Sequence, residues 1–308
     1  MRAGVLFAMY LAPSSRAKNS SRIAPSLIRE GVAAAATLRH TMQPTYPVSL
    51  HANVEALAAL EDAVGARSQW LWDERRALSL SQLADGHVAL HSGTTGSVAT
   101  DAFLFKLLAL GWSRYERTVF LDCDVFVEHH AFIDGLLVQT LAVADVAMPI
   151  DPGREAKLTY GRDHAAWVFP TTGPPMLCTA VLAYRRSPSV DALWSGAARR
   201  LVGHWHHYVR QSDQEMIWFE WTRNRTDLRV LALPEECVIM GSPQAAPGSV
   251  AERRTIDSRV LADTFVRILP TSRPRPASAT GGRPRGPSTI AARSMGTVTP
   301  ARFRSVPL

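Results

Sequence analysis

The chain has 308 residues, 46% of them hydrophobic, and a formal charge of +7, enough for one large α/β domain or two smaller ones around a sizeable core. The whole excess charge lies in Pro270–Leu308, which holds seven Arg and no Lys, Asp or Glu; the 34 basic side chains less those seven leave 27, against 27 acidic ones. A neutral body argues against nucleic acid as a partner, three dispersed cysteines (Cys123, Cys178, Cys237) exclude a disulfide framework or a zinc ribbon, and no apolar run reaches the ~18 residues of a membrane helix.

Val5–Leu11 reads as a first strand. Preceded by Arg2, the same run also resembles a short signal peptide, but an α/β domain needs a strand here. A long Ser/Arg-rich loop, Pro13–Pro25, follows. Glu30–His40 is an Ala-rich helix, Pro47–His51 a second strand and Val54–Val64 an amphipathic helix. A third strand is expected near Trp70. Thr100–Gly111 is an apolar-faced helix carrying Asp101 and Lys106, and Val119–Leu121 is the next strand. Asp145–Pro149 reads as a short strand and Met176–Tyr184 as a buried strand or strand pair. Helices over Ser189–Val202 and Asp213–Thr222 follow, then a last strand, Leu228–Leu233, that ends at Pro234-Glu235-Glu236. This alternation predicts an α/β fold, with a mostly parallel sheet flanked by helices. The expected organisation is one domain, residues 1–269, and a disordered basic tail, 270–308, too poor in large apolar groups to fold. A solvated extension is the simplest reading of that tail.

The most informative stretch is Arg117-Thr118-Val119-Phe120-Leu121-Asp122-Cys123-Asp124. A buried strand that ends on two carboxylates needs a cation to meet them. Hard divalent cations suit such oxygens, shared with substrate phosphates. Three readings are open on these residues. One is a metal-diphosphate site. Another is the nucleophile loop of a haloacid-dehalogenase-type phosphohydrolase. The third is a plain strand-end turn.

Four blocks, in order, resemble a known family. Phe105-Lys106-Leu107-Leu108-Ala109-Leu110 with Tyr115-Glu116-Arg117 and the Asp122-Cys123-Asp124 strand is similar to the family's "K-L-x-x-L … Y-[ED]-R … L-D-x-D". Ala180-Val181-Leu182-Ala183-Tyr184-Arg185-Arg186-Ser187 resembles its "N-[ST]-G-V-L-[AL]-[FY]-[RK]-[RK]-S". Ser212-Asp213-Gln214 resembles its "DQ" block, and Val230-Leu231-Ala232-Leu233-Pro234-Glu235-Glu236 its "hhxLPxE" block. The family is that of GT-A-fold nucleotide-diphospho-sugar transferases, with the glycogenin-like retaining members the best match. The blocks span about residues 100–240. They weigh against the phosphohydrolase, whose aspartate opens the chain; here about 120 residues precede it.

The resemblance implies a Rossmann-like single catalytic domain. It implies a glycosyltransferase that moves a sugar from a UDP-sugar donor to a hydroxyl acceptor, with Mn2+ or Mg2+ and with retention of configuration. Asp124 would coordinate the metal, and Asp122 would share it or contact the ribose. Lys106 would reach the donor nucleotide or phosphates. Asp213 and Gln214 would hold sugar hydroxyls near the reacting carbon. Ala8 and Tyr10 would line the nucleobase site, with Tyr10 stacking on uracil. Asp101 is a weaker donor-site candidate. The chain departs from the family at Cys178-Thr179-Ala180, where Asn-Ser/Thr-Gly is usual. The late metal-binding His is also missing, the last histidine being His207 in the cluster His204-Trp205-His206-His207. These departures motivate an alternative, a non-catalytic relative that binds nucleotide-sugar or serves as a scaffold. Sequons at Asn19 and Asn224 matter only in a secretory lumen.

Overall fold

The structure is a computed structural model that describes residues 2–13, 24–42, 45–84, 90, 95, 98–127, 130–150, 176–203, 212–225 and 227–233. The tail, the His204–His207 cluster, Pro234-Glu235-Glu236, Asn19 and Cys237 lie outside these residues.

The first strand, β1 (Ala3–Met9), is central and almost wholly buried. Helix α1 (Ala24–Met42) leads to β2 (Val48–Ala52), and α2 (Val54–Val64) follows at once. A 3-10 turn (Gly65–Arg67) and α3 (Ser68–Leu71) precede β3 (Glu74–Ala77). Then come α4 (Leu80–Ala84), α5 (Val98–Gly111) and β4 (Arg117–Leu121). Helix α6 (His130–Asp134), a π-turn (Gly135–Thr140) and α7 (Leu141–Val143) run together before β5 (Val146–Pro149). The described chain ends with β6 (Val181–Arg185), α8 (Pro188–Gly203), α9 (Asp213–Asn224) and β7 (Val230–Leu233).

The seven strands form one sheet in the order β3-β2-β1-β4-β6-β5-β7. Only β6 runs antiparallel to its neighbours, β4 and β5; the other pairs are parallel. The expected α/β class and mostly parallel sheet are thus observed. The chain leaves β1 in both directions across the sheet, toward β2 and toward β4. That divergence lies between β1 and its two neighbours, and open α/β sheets hold ligands at the carboxyl ends of strands at such a point, here β1 and β4.

Strand alternation sorts side chains onto two faces. Val5, Phe7 and Met9 of β1 join Val119 and Leu121 of β4 under α1 and α2. Leu6 and Phe120 point the other way, into a cluster with α5, α8 and α9. Helix α5 is apolar nearly all round and is buried accordingly, with Leu104 to Leu110 all covered. At the crossing of α8 and α9, Gly196 leaves room for Glu220, because a methyl there would lie 2.4 Å from the Glu220 carboxylate. That carboxylate is held by Arg200 and Asn224. Asp145 ties three strands together at the far edge. It accepts from Arg185 at 2.6 Å and from two positions on the Arg229 guanidinium, and these arginines hold its carboxyl down at about 2.

Three expectations change. The third strand is not at Trp70: Ser68–Leu71 is a helical turn, Trp70 is 79% exposed, and the strand is Glu74–Ala77. A charged edge strand, paired on one side only, lacks the apolar signature that sequence reading seeks. Met176–Tyr184 is not continuous. Leu177 makes an isolated bridge to Ile150, Thr179 and Ala180 form a bend, and β6 starts at Val181. Residues 130–143 are helical, where no element was expected.

His51 lies on the α5 face of β2, fully buried, and neither ring nitrogen finds a hydrogen-bond partner of good geometry. Burial pushes its imidazole down to about 4, helped by the Arg76 charge and opposed by the Ala109 backbone and Glu74. The unfolded chain therefore takes up this proton first as pH falls. The stability contributed by neutral His51 is fully present above about 6.5 and is lost as pH drops toward 4. Between pH 7 and pH 5 the loss is about 2 kcal/mol. Urea unfolding of wild type and His51→Leu at both pH values should show the variant gaining that much relative stability at pH 5. A pH-independent difference would contradict the assignment.

Candidate functional site

The site is organised around one ammonium group. Lys106 sits mid-way along the buried helix α5, with its side chain only 11% exposed. A lysine in that setting needs anionic partners. Its Nζ lies 2.8 and 2.9 Å from the two Asp122 oxygens and 2.8 Å from Asp213 Oδ2. It also donates to Thr179 Oγ1 at 3.3 Å and lies 5.1 Å from the Phe120 ring centre. The Thr179 hydroxyl donates to Asp213 Oδ2 at 2.7 Å. One cation thus joins β4, the bend before β6 and the first turn of α9.

Each partner is placed by local backbone structure. Asp122 is the residue after β4, on the α5 face that Phe120 also takes. Its amide donates to the Ala180 carbonyl at 2.9 Å, and its carbonyl accepts the Val125 amide at 3.1 Å. The resulting turn throws Asp124 outward, so that Asp124 is exposed while Asp122 is not. Cys123 points back and donates weakly to the Ala8 carbonyl at 3.4 Å. Burial and the flanking aspartates push its thiol well above the ordinary range, so it is an inert packing group.

Asp213 opens α9 and is 3% exposed. Ser212 caps that helix by accepting the Glu215 amide at 3.4 Å. Glu215 is itself buried, which pushes its carboxyl up to about 7 against the pull of the Ser212 amide and with a small further push from Asp213. Sequence reading passed over Glu215, although Ser212-Asp213-Gln214-Glu215 has the spacing of a capping box. Gln214 is half-buried beside Asp213.

Charge in the cluster is settled by proximity. Burial opposes the charge on Lys106, but Asp122 and Asp213 outweigh it, and the ammonium is held well above its ordinary range. Burial pushes Asp122 up, to about 7, against Lys106, with Asp213 adding to the rise. The Asp122 side chain is still 31% exposed. The ammonium at 2.8 Å works the other way and favours the charged carboxylate.

The nucleobase candidates lie on the same face. Ala8 is in β1, and Tyr10 follows it. The Tyr10 ring centre is 5.6 Å from Phe105, the residue before Lys106. Ala8, Tyr10, Lys106, Asp122, Asp124, Asp213 and Gln214 are therefore all carried by segments that meet at the carboxyl end of the sheet. Asp101 is on the same helix as Lys106, nearer its start. It is fully buried and accepts the Thr95 amide and hydroxyl, both at 2.7 Å, which pins the approach to α5. Cys178 is buried, with its amide on the Pro149 carbonyl at 2.7 Å.

Among the described residues there is no group of three or more His, Cys, Asp or Glu able to hold a metal ion. Asp124 is open to solvent, and both Asp122 oxygens already face Lys106. This donor set fits a hard cation completed by phosphate oxygens and water, as Mg2+ usually is, and not one held by protein alone.

No family model matches the sequence. No curated protein matches it either. The solved structures it matches include several glycosyltransferases. The galactosyltransferase LgtC, in complex with donor and acceptor sugar analogues, is 13% identical, with a TM-score of 0.43 over 70% of this chain and 69% of that one. The bifunctional glycosyltransferase WbbM is 16% identical, with a TM-score of 0.48; the match covers 76% of this chain but 39% of WbbM. Glucosyl-3-phosphoglycerate synthase from Mycobacterium tuberculosis, in complex with UDP, is 13% identical, with a TM-score of 0.38 over 87% of this chain and 82% of that one. No described helix is long and apolar enough to cross a membrane.

Proposed function

We propose that the protein is a metal-dependent glycosyltransferase of the GT-A type, which moves a sugar from a UDP-sugar donor to a hydroxyl acceptor. The observation that carries this reading is the Lys106–Asp122–Asp213 cluster with Asp124 exposed beside it, at the carboxyl ends of β1 and β4. The matched glycosyltransferase structures and the four sequence blocks point the same way.

Asp124, with Asp122, would hold Mn2+ or Mg2+ against the donor diphosphate. Bound there, the cation would neutralise the charge that develops on the leaving diphosphate. Lys106 supplies a compact positive charge on the same side. Asp213 and Gln214 present a carboxylate and an amide, which accept from and donate to adjacent sugar hydroxyls. Tyr10 offers a face for the nucleobase, and Ala8 leaves space beside it. The helix dipole at the start of α9 adds positive potential near Asp213. The retaining outcome follows from the resemblance to glycogenin-like enzymes.

One observation favours the alternative, a nucleotide-sugar binder without turnover. Asp122 is engaged by Lys106 through both oxygens, which leaves Asp124 as the one unencumbered carboxylate of the pair. A panel of UDP-sugars assayed for metal-dependent hydrolysis separates the two. Release of UDP from one sugar, abolished by chelation, supports the transferase. Tight UDP-sugar binding with no release from any donor supports the binder.

A further inference from the structure

Asn53 is a buried polar residue that the proposed chemistry leaves unused. It joins β2 to α2 and is 4% exposed. Its Oδ1 accepts the Leu11 amide at 3.0 Å, and its Nδ2 donates to the Leu11 carbonyl at 2.6 Å. The Asn53 amide donates to the Met9 carbonyl at 3.3 Å. The last pair in the β1–β2 register is Met9 with Ala52. Beyond it, the Asn53 side chain does for Leu11 what a neighbouring strand would do.

Capping alone does not explain the residue. Oδ1 also accepts the Ala56 amide at 3.3 Å, which caps α2, and Nδ2 donates to Glu55 at 2.6 Å. A cap needs one acceptor, and Ser or Asp serves there as well as Asn. A hydroxyl has its donor and acceptor on one atom, whereas the amide carries them on two, Oδ1 and Nδ2, and so meets both backbone groups of Leu11 at once. The stretch so held contains Tyr10, whose ring rests near Phe105 on α5.

We propose that Asn53 is a positioning residue of the nucleotide site: by clamping both backbone groups of Leu11 it fixes the end of β1 and sets the Tyr10 ring where a nucleobase stacks. The proposal rests on the nucleotide reading of the β1 end. Sequence reading missed Asn53 because an Asn before a helix looks like an ordinary cap.

Asn53→Ser keeps a capping oxygen and removes the two-point clamp. UDP with Mn2+ is the probe, measured by calorimetry, with a thermal unfolding curve for each protein. A segment that is correctly placed only about a tenth of the time weakens apparent affinity about tenfold. The expected result is that loss in Asn53→Ser, together with faster hydrogen exchange at the Leu11 amide. Val230→Ala on β7, in the other core cluster and at the opposite edge of the sheet from β2, controls for any lost stability and should bind UDP as wild type does. An Asn53→Ser protein that binds UDP within twofold of wild type, or no more weakly than the Val230→Ala control, overturns the clamp. A wild type that does not bind UDP overturns the nucleotide reading and the clamp's role with it, so the two failures are told apart by the wild type.

Discussion

Asp124→Ala should leave the protein as stable as wild type and lower metal-dependent donor turnover by about a thousandfold, some 4 kcal/mol of barrier. Asp124 is exposed, and the turn that displays it is fixed by the backbone bonds of Asp122 to Ala180 and Val125. No described residue leans on its carboxylate, so the stability change should stay within about 0.5 kcal/mol. The loss falls on turnover, because the second carboxylate for a phosphate-bound cation is gone. Steady-state hydrolysis of the preferred UDP-sugar, beside a denaturation curve, checks both halves. Unchanged turnover would remove Asp124 from the metal site.

Lys106→Met should have the opposite profile, a large loss of stability. It strands Asp122 and Asp213 against each other, with the Asp213 side chain 5% exposed and no other cation in contact with the pair among the described residues. Breaking a buried ion pair by removing one partner costs about 3–5 kcal/mol. For a domain of this size that lowers Tm by about 10 °C. Adding Asp213→Asn removes one stranded charge while keeping an acceptor for Thr179, so the double variant should recover part of the loss. A single variant that unfolds within 1 kcal/mol of wild type would mean that water, and not Lys106, balances these carboxylates.

These contrasting profiles explain how the site could be read from sequence and where that reading stopped. Lys106, Asp122 and Asp213 span 107 positions from first to last (213 less 106), yet they share one ammonium contact. The sequence blocks carry each residue on a strongly patterned element: the apolar helix α5, the apolar strand β4 and the capped helix α9. Such elements are legible because burial imposes their periodicity. Thr179 was seen only as part of a departure, Cys178-Thr179-Ala180. It proves to be a member of the cluster, with its hydroxyl between Lys106 and Asp213.

What was not legible has physical reasons too. Strand β3 is charged and sits at an edge, so it shows no alternation, and its neighbour Trp70 drew the expectation to the wrong place. The helical run over 130–143 contains a π-turn, whose widened spacing breaks the 3.6-residue pattern. Asn53 carries two bonds to a residue 42 positions away. Long-range side-chain contacts of this kind leave no trace in local sequence. The alternation within β1 and β4 is what places Ala8, Tyr10, Phe120 and Asp122 on one face, and that is a property of strand geometry available before any contact is known.

The central claim is that the carboxyl ends of β1 and β4 hold a cation-bound nucleoside diphosphate. Titration of UDP into the protein in a calorimeter, first with Mn2+ and then with the metal chelated, tests it most directly. The account predicts saturable binding with Mn2+ that vanishes on chelation and in Asp124→Ala. UDP binding that is unchanged without metal, or no binding under either condition, would contradict it.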